Sequence, residues 1–277
     1  MDGMIKVNIQ GVQATMLIPL RGRTVFSQRF PDLYDNENDR KICERLDFDF
    51  SQLDRVLGEY GNLCYIARAR AAEHAIKEYI SRFPAATIVN IGSGLDTIFQ
   101  QVDNGSIRWY NLDLPDAMTF RNQLITEPDR SFCIAKSVFD LSWFEDIRYD
   151  EEKGFLMIAA GVFHFLPPEE LKILFAAIAD HFPAAELFFD VNSTVGNEYS
   201  NRSMKASGNE DALLRFAIDD PQELEGWSDQ IKLLSCTPYF KDIPRYSELE
   251  EITRQYMDMA DTQGMSKYIR LYFGSRI

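Results

Sequence analysis

Apolar residues recur at two different intervals along this chain, and the change between them divides it near Pro84. Before that point the spacing is helical and irregular. Ala14–Ser27 opens on Met16-Leu17-Ile18 and turns basic at Arg21, Arg23 and Arg29. An acidic loop follows at Asp32–Asp39, and Asp47–Leu57 alternates charge and bulk, with Asp49 or Ser51 as its helix cap. Leu63, Ile66, Ala67, Ala71, Ala75, Ile76, Tyr79, Ile80 and Phe83 then lie on one helix that Asn62 would cap and Pro84 would end. After Pro84, strands alternate with helices. The predicted strands are Thr87–Ile91, Ile107–Leu112, Phe132–Ala135, Phe155–Val162, Glu186–Val191, Ile231–Cys236 and Tyr268–Phe273. The predicted helices are Leu95–Val102, Pro115–Ile125, Pro167 to about His181, Ala212–Ile218 and Glu248–Met259. Such alternation predicts an α/β protein with a doubly wound, mostly parallel, seven-stranded sheet and helices on both faces. The expected organisation is an N-terminal helical cap, residues 1–85, against one core domain, residues 86–277.

Composition narrows the class. Of 277 residues, 45% are hydrophobic and 26% charged, enough for a large core. The formal net charge of −14 argues against a nucleic-acid or anionic-membrane partner, since both reward clustered cations. No apolar stretch nears the ~20 residues of a membrane helix, and the first residues lack a secretory leader's pattern, so a cytoplasmic protein is expected. Cys43, Cys64, Cys133 and Cys236 lack zinc-knuckle spacing; reduced thiols and no metal are expected.

The chemistry concentrates after the first strand, in Asn90-Ile91-Gly92-Ser93-Gly94-Leu95-Asp96-Thr97. Glycines allow a sharp turn and close approach of a ligand to bare backbone, at the strand end where open α/β sheets bind ligands. A lone Gly-x-Gly is weak evidence. The second strand ends at Asp113, placed to accept hydrogen bonds from ribose hydroxyls; the alternative, a cap on the following helix, suits Asp116 better. Both features also fit a nicotinamide enzyme. The third glycine of that fingerprint is replaced by Thr97, which favours a nucleoside without a pyrophosphate, S-adenosylmethionine. An adenine slot is offered by Asp140 and Leu141, although Asp140 also reads as a loop cap.

The strings Thr87–Thr97, Val102–Gly105 and Arg108–Pro115 resemble the leucine carboxyl methyltransferase superfamily, nearest to its bacterial O-methyltransferases of tetracenomycin-type polyketide synthesis. Thr15–Leu20, Asp47–Ser51, Ala67–Arg70 and Ser137–Trp143 agree, and the similarity runs from about residue 13 to 195. The resemblance implies a class I, Rossmann-like methyltransferase fold with a helical lid and S-adenosylmethionine as cofactor. It places Arg68 on the cofactor carboxylate, which suits a guanidinium's paired hydrogen bonds. Gly92, Ser93 and Gly94 form the bend, Asp113 and Leu114 hold the ribose end, and Asp140 and Leu141 the adenine side. Two departures stand out. Ala160 replaces a cofactor-contacting glutamate after the fourth strand, with Phe165 in place of a tyrosine, and Ile98 stands where many relatives have arginine. They argue against a protein C-terminus as acceptor and for a small-molecule hydroxyl or carboxyl.

Methyl transfer is an in-line displacement, helped mainly by positioning. A hydroxyl acceptor gains from a base, and His164, just past a central strand, is the candidate catalytic residue; packing between Phe163 and Phe165 is the competing role. Phe163, Phe165 and Tyr199 are candidates to line an apolar acceptor pocket. Two other classes stay open: a cofactor-binding module without efficient transfer, and a nicotinamide-dependent oxidoreductase. Sequence leaves oligomeric state and acceptor identity undecided.

Overall fold

The strand at Thr87–Ile91 sits at the middle of the molecule because every one of its residues is buried. The computed structural model describes residues 4–7, 12–206 and 213–274. Its elements run β1 (Ile5–Lys6), α1 (Val12–Arg29), α2 (Glu37–Arg45), β2 (Leu46–Asp47), α3 (Ser51–Arg82), β3 (Thr87–Ile91), α4 (Phe99–Val102), β4 (Arg108–Asp113) and α5 (Pro115–Leu124). They continue as β5 (Ser131–Ala135), β6 (Phe155–Ala159), α6 (Pro168–His181), β7 (Glu186–Asn192), α7 (Thr194–Ala206), β8 (Ile231–Pro238), α8 (Glu251–Thr262) and β9 (Ser266–Phe273). The main sheet has the order β5-β4-β3-β6-β7-β9-β8. β5 to β7 run parallel, and β9 runs antiparallel to both neighbours. The order reverses between β3 and β6, so the chain leaves a crevice beyond their carboxyl ends, where α/β sheets of this kind take ligands.

Alternate residues of the central strands face opposite layers. On one side Ile88, Leu156 and Ile158 pack with Ile66, Ile76 and Tyr79 of α3. On the other, Val89, Met157 and Phe189 pack with Leu171, Leu174, Phe175 and Ile178 of α6. Burial of each such side chain is worth about 1.5–3 kcal/mol. A third cluster joins Leu17 and Leu20 of α1 and Ile42 of α2 to Leu95, and to Phe120 and Leu124 of α5. The N-terminal helices therefore pack beside the glycine bend.

Several expectations need correcting. The helix before β3 starts at Ser51, where Asp49 accepts from the Ser51 amide, and bends at Gly58 (φ 58°). Asn62 therefore lies inside a helix and caps nothing. Leu95–Val102 is helical only from Phe99. The fourth strand stops at Ala159, because Gly161 (φ 77°) turns the chain away. Of the helix expected at Ala212–Ile218, residue 212 lies outside the described residues and 213–218 are not helical: Ala217 bridges to Asn192. The helix of that region is α7, whose polar face at Asn197, Asn201 and Arg202 blurs its periodicity. No described helix is long and apolar enough to cross a membrane.

Candidate active site

β3, β4, β6 and β7 bring four loops to one rim. At the first, Gly92 (φ 64°) and Gly94 (φ 44°) adopt left-handed backbone, so the predicted turn requires both glycines. The close approach they permit is partly internal: a Cβ on Gly92 would lie 2.3 Å from Val162 Cγ2, and one on Gly94 3.2 Å from Met16 Cγ. The bend thus packs against the β6 loop and α1. Ser93 is buried, and its hydroxyl finds no partner among the described residues.

Asp113 ends β4 half-buried. Its Oδ2 accepts from the Gly94 amide at 2.7 Å and its Oδ1 from the Leu114 amide at 2.7 Å. Burial raises its pKa against these two amides, which favour the charged form. Each oxygen keeps a lone pair for a hydroxyl donor. Leu114 and Leu141 are large apolar side chains left exposed, 42% and 37%. Asp140 caps the short 3₁₀ turn Leu141–Asp146 by accepting from the Ser142 amide at 3.2 Å. The loop-cap role anticipated for it is therefore observed, and the exposed carboxylate keeps lone pairs for an adenine edge.

The opposite end is built around Asp190, a charge near the end of the fully buried β7. Its Oδ2 accepts from Arg68 Nε at 2.7 Å and lies 3.1 Å from His164 Nε2; its Oδ1 accepts from the Gly161 amide at 2.6 Å. Burial alone would raise this carboxyl, but the Arg68 guanidinium and His164 outweigh it and hold it well below the usual carboxylate range. Gly161 is required, because a Cβ there would fall 2.8 Å from Arg68 Nη1. Arg68 is thereby fixed through Nε alone, and neither Nη has a side-chain or carbonyl partner among the described residues. A planar fork held by one corner and open at the other suits a carboxylate ligand. Ala160 is partly buried beside it, packed on the α3 side of the core.

His164, expected beside the acceptor, is instead buried at 4% exposure. An ionised Asp190 makes Nε2 the protonated nitrogen, and Nδ1 is buried without a partner. Phe163, a candidate for the acceptor pocket, is instead fully buried and belongs to the α6-side core. Phe165 and Tyr199 are both 41% exposed, after the ends of β6 and β7.

Sequence reasoning missed Asp190 and Gly161, although an acid inside the apolar run Leu187-Phe188-Phe189-Asp190-Val191 was a readable signal. It also missed the network at Thr97. Thr97 donates to Asp39 at 3.1 Å and accepts from Asn36 at 2.7 Å, while Arg23 binds the same Asp39 at 2.7 Å. All four side chains are buried, so the bend is tied to α1 and α2 by hydrogen bonds as well as packing.

The model of the leucine carboxyl methyltransferase family matches residues 25–179. The chain belongs to this family. It is an S-adenosylmethionine-dependent methyltransferase with a class I, mostly parallel seven-stranded sheet. Among its relatives are the tetracenomycin polyketide synthesis O-methyltransferase TcmP of Streptomyces glaucescens, 22% identical over 222 residues, covering 79% of this chain and 80% of that protein. The S-adenosyl-L-methionine-dependent methyltransferase dpfgK of Gibberella zeae is 23% identical over 240 residues, with the same coverage of 79% and 80%. The plantazolicin methyltransferase BamL, solved with S-adenosylhomocysteine, shares the fold at a TM-score of 0.52 and 10% identity, over 96% of this chain and 98% of that one. The observed groups fit the cofactor of this methyltransferase: an open guanidinium fork for its amino-acid end, a carboxylate for its ribose and exposed leucines for its adenine. Among the described residues no cluster of His, Cys, Asp or Glu could hold a metal ion.

Proposed function

We propose that this methyltransferase transfers a methyl group to the oxygen of a small molecule, a carboxyl or an acidic hydroxyl, and that polyketide-like acids and phenols are the acceptor class. The observation that carries the site assignment is Arg68, anchored by Asp190 with its Nη groups open, facing the problem of holding an amino-acid carboxylate. In this reading Gly92, Ser93 and Gly94 form the floor under the cofactor, Asp113 takes the ribose hydroxyls, Leu114 and Leu141 cover the adenine, and Asp140 and Ala160 border it. When bound, S-adenosylmethionine supplies an electrophilic methyl on a sulfonium sulfur. The chain's own work is to fix both ends of the donor and to exclude water, which is where positioning catalysis gains most.

The acceptor class follows from two supports. TcmP is described as an O-methyltransferase of polyketide synthesis. His164 has its Nε2 engaged by Asp190 and its Nδ1 buried. A proton-accepting role for His164 would need that nitrogen uncovered, so the reading favours an acceptor already anionic, which needs no base. The same proposal includes a cap of residues 1–85 covering a core of 86–277, a cytosolic setting, and no nucleic-acid or membrane partner.

The test is transfer of labelled methyl from S-adenosylmethionine to a panel of aromatic acids, phenols and aliphatic alcohols. Base-labile label on acids, or label on acidic phenols, with a rate flat above the acceptor's own pKa is expected. A rate rising through about pH 6.5, the range of a histidine base, restores that role to His164. Labelling of amines alone refutes oxygen as the target.

A further inference from the structure

Arg121 lies on α5, outside every motif discussed so far, and is 1% exposed. Its Nη1 donates to the carbonyl of Gly94 at 2.9 Å and to that of Asp96 at 2.7 Å. Its Nε donates to Glu127 at 2.7 Å, and that carboxylate also accepts from Ser131, whose hydroxyl accepts from Asn111 at 3.1 Å. The buried guanidinium thus divides its donors between the loop carbonyls and its own counter-ion, and so ties α5 to the loop.

The consequence appears at Gly94. Its N–H is held by Asp113, the acid assigned to the ribose, and its carbonyl by Arg121. One residue thus links the two, with its left-handed backbone pinned at both peptide faces. We propose that Arg121 is a positioning residue for the cofactor: it holds the Gly94–Asp96 backbone so that the Gly94 amide keeps the Asp113 carboxylate aimed at the ribose. The inference rests on the site reading above. Arg121 is buried, so in this reading it acts through the Gly94–Asp96 backbone. A role limited to stability would lower the melting temperature and leave the folded protein's affinity alone, whereas a positioning role moves the affinity.

The experiment is calorimetric titration of S-adenosylhomocysteine into the unaltered protein, Arg121→Lys and Ser131→Ala, with folding checked by circular dichroism. Lysine keeps the charge but is a point donor that cannot span two carbonyls and Glu127 together. The expected result is a Kd about tenfold higher in Arg121→Lys, the equivalent of about one net hydrogen bond, and faster amide exchange at Gly94. Ser131→Ala loosens only the far end of the chain of bonds and is expected to lower the melting temperature with Kd within twofold. Equal Kd in Arg121→Lys and the unaltered protein overturns the inference while leaving the site reading intact. No binding by the unaltered protein overturns the site reading and this role together. Should Arg121→Lys fail to fold, Glu127→Ala removes the acceptor of Nε and is expected to raise Kd about threefold in the same direction; an unchanged Kd there overturns the inference equally.

Discussion

Two carboxylates mark the two ends of the crevice, and they are built in opposite ways. Asp190 is buried: Arg68, His164 and Gly161 converge on it, and its carboxyl is held well below the usual range. Asp113 sits half-exposed at a strand tip, holds two backbone amides, and has its carboxyl shifted upward by burial. The first carboxylate orients a cation, and its burial shuts the one lone pair left on Oδ1 away from a ligand. The second keeps lone pairs and access. An acid's place at a rim does not define its role; what remains unsatisfied on it does.

The comparison breaks most sharply at Asp190. Asp190→Ala leaves the Arg68 guanidinium without its counter-ion and the Gly161 amide unpaired. We expect a loss of about 3–5 kcal/mol in urea or thermal unfolding, the cost of removing one partner of a buried ion pair. A loss below about 1 kcal/mol, in the range of exposed pairs, would show that Asp190 is not the anchor described here.

Asp113→Ala is expected to behave in the opposite sense. Its stability should change by only about 1 kcal/mol, the two amides reverting to water. Its affinity for S-adenosylhomocysteine should fall about a hundredfold, the equivalent of two hydrogen bonds from ribose to a charged acceptor. Arg68→Met is expected to lose both affinity and stability, since it removes the guanidinium fork and leaves the buried Asp190 without its cation. Unchanged binding in Asp113→Ala, read by calorimetry, would remove the ribose assignment.

The smallest effect is in pH. In the ribose reading Asp113 would accept from hydroxyls in its ionised form, and its folded pKa lies above the ordinary value of about 3.9. Cofactor affinity should therefore be full near neutrality and decline as pH falls through that raised value. Asp190 runs the other way: its folded pKa is depressed, so its stabilisation is present above the unfolded value and lost only as pH falls through the folded one. Binding should weaken before unfolding begins. The measurement is S-adenosylhomocysteine affinity from pH 7 downward beside a circular dichroism melt, with Asp113→Asn expected to flatten the affinity curve. Coincident loss of binding and fold would erase the distinction between the two acids.

Much of this was legible in the sequence where the signal is local. β3 was predicted at its observed bounds, because four β-branched residues out of five between Pro84 and Gly92 leave a buried parallel strand little latitude. Asp113 was legible from its spacing behind the glycines, and Arg68 from the resemblance of its neighbourhood to a known family. Helix α7 was not legible, because its buried contacts are polar: Asn197 bonds the Phe216 carbonyl and Asn201 bonds Leu214. The loop cap at Asp140 was legible from its local spacing, whereas the burial of His164 against Asp190 was not.

The sequence alone determined the alternation of elements, the glycine turn and the acid at the tip of β4, since hydrophobic period, backbone freedom and strand polarity act over a few residues. Only the tertiary structure decided which charges meet. Arg68 and Asp190 are 122 residues apart, and Arg121 and Gly94 are 27 apart. Those pairings follow from sheet order and helix packing, and a long-range contact leaves no local period by which to read it.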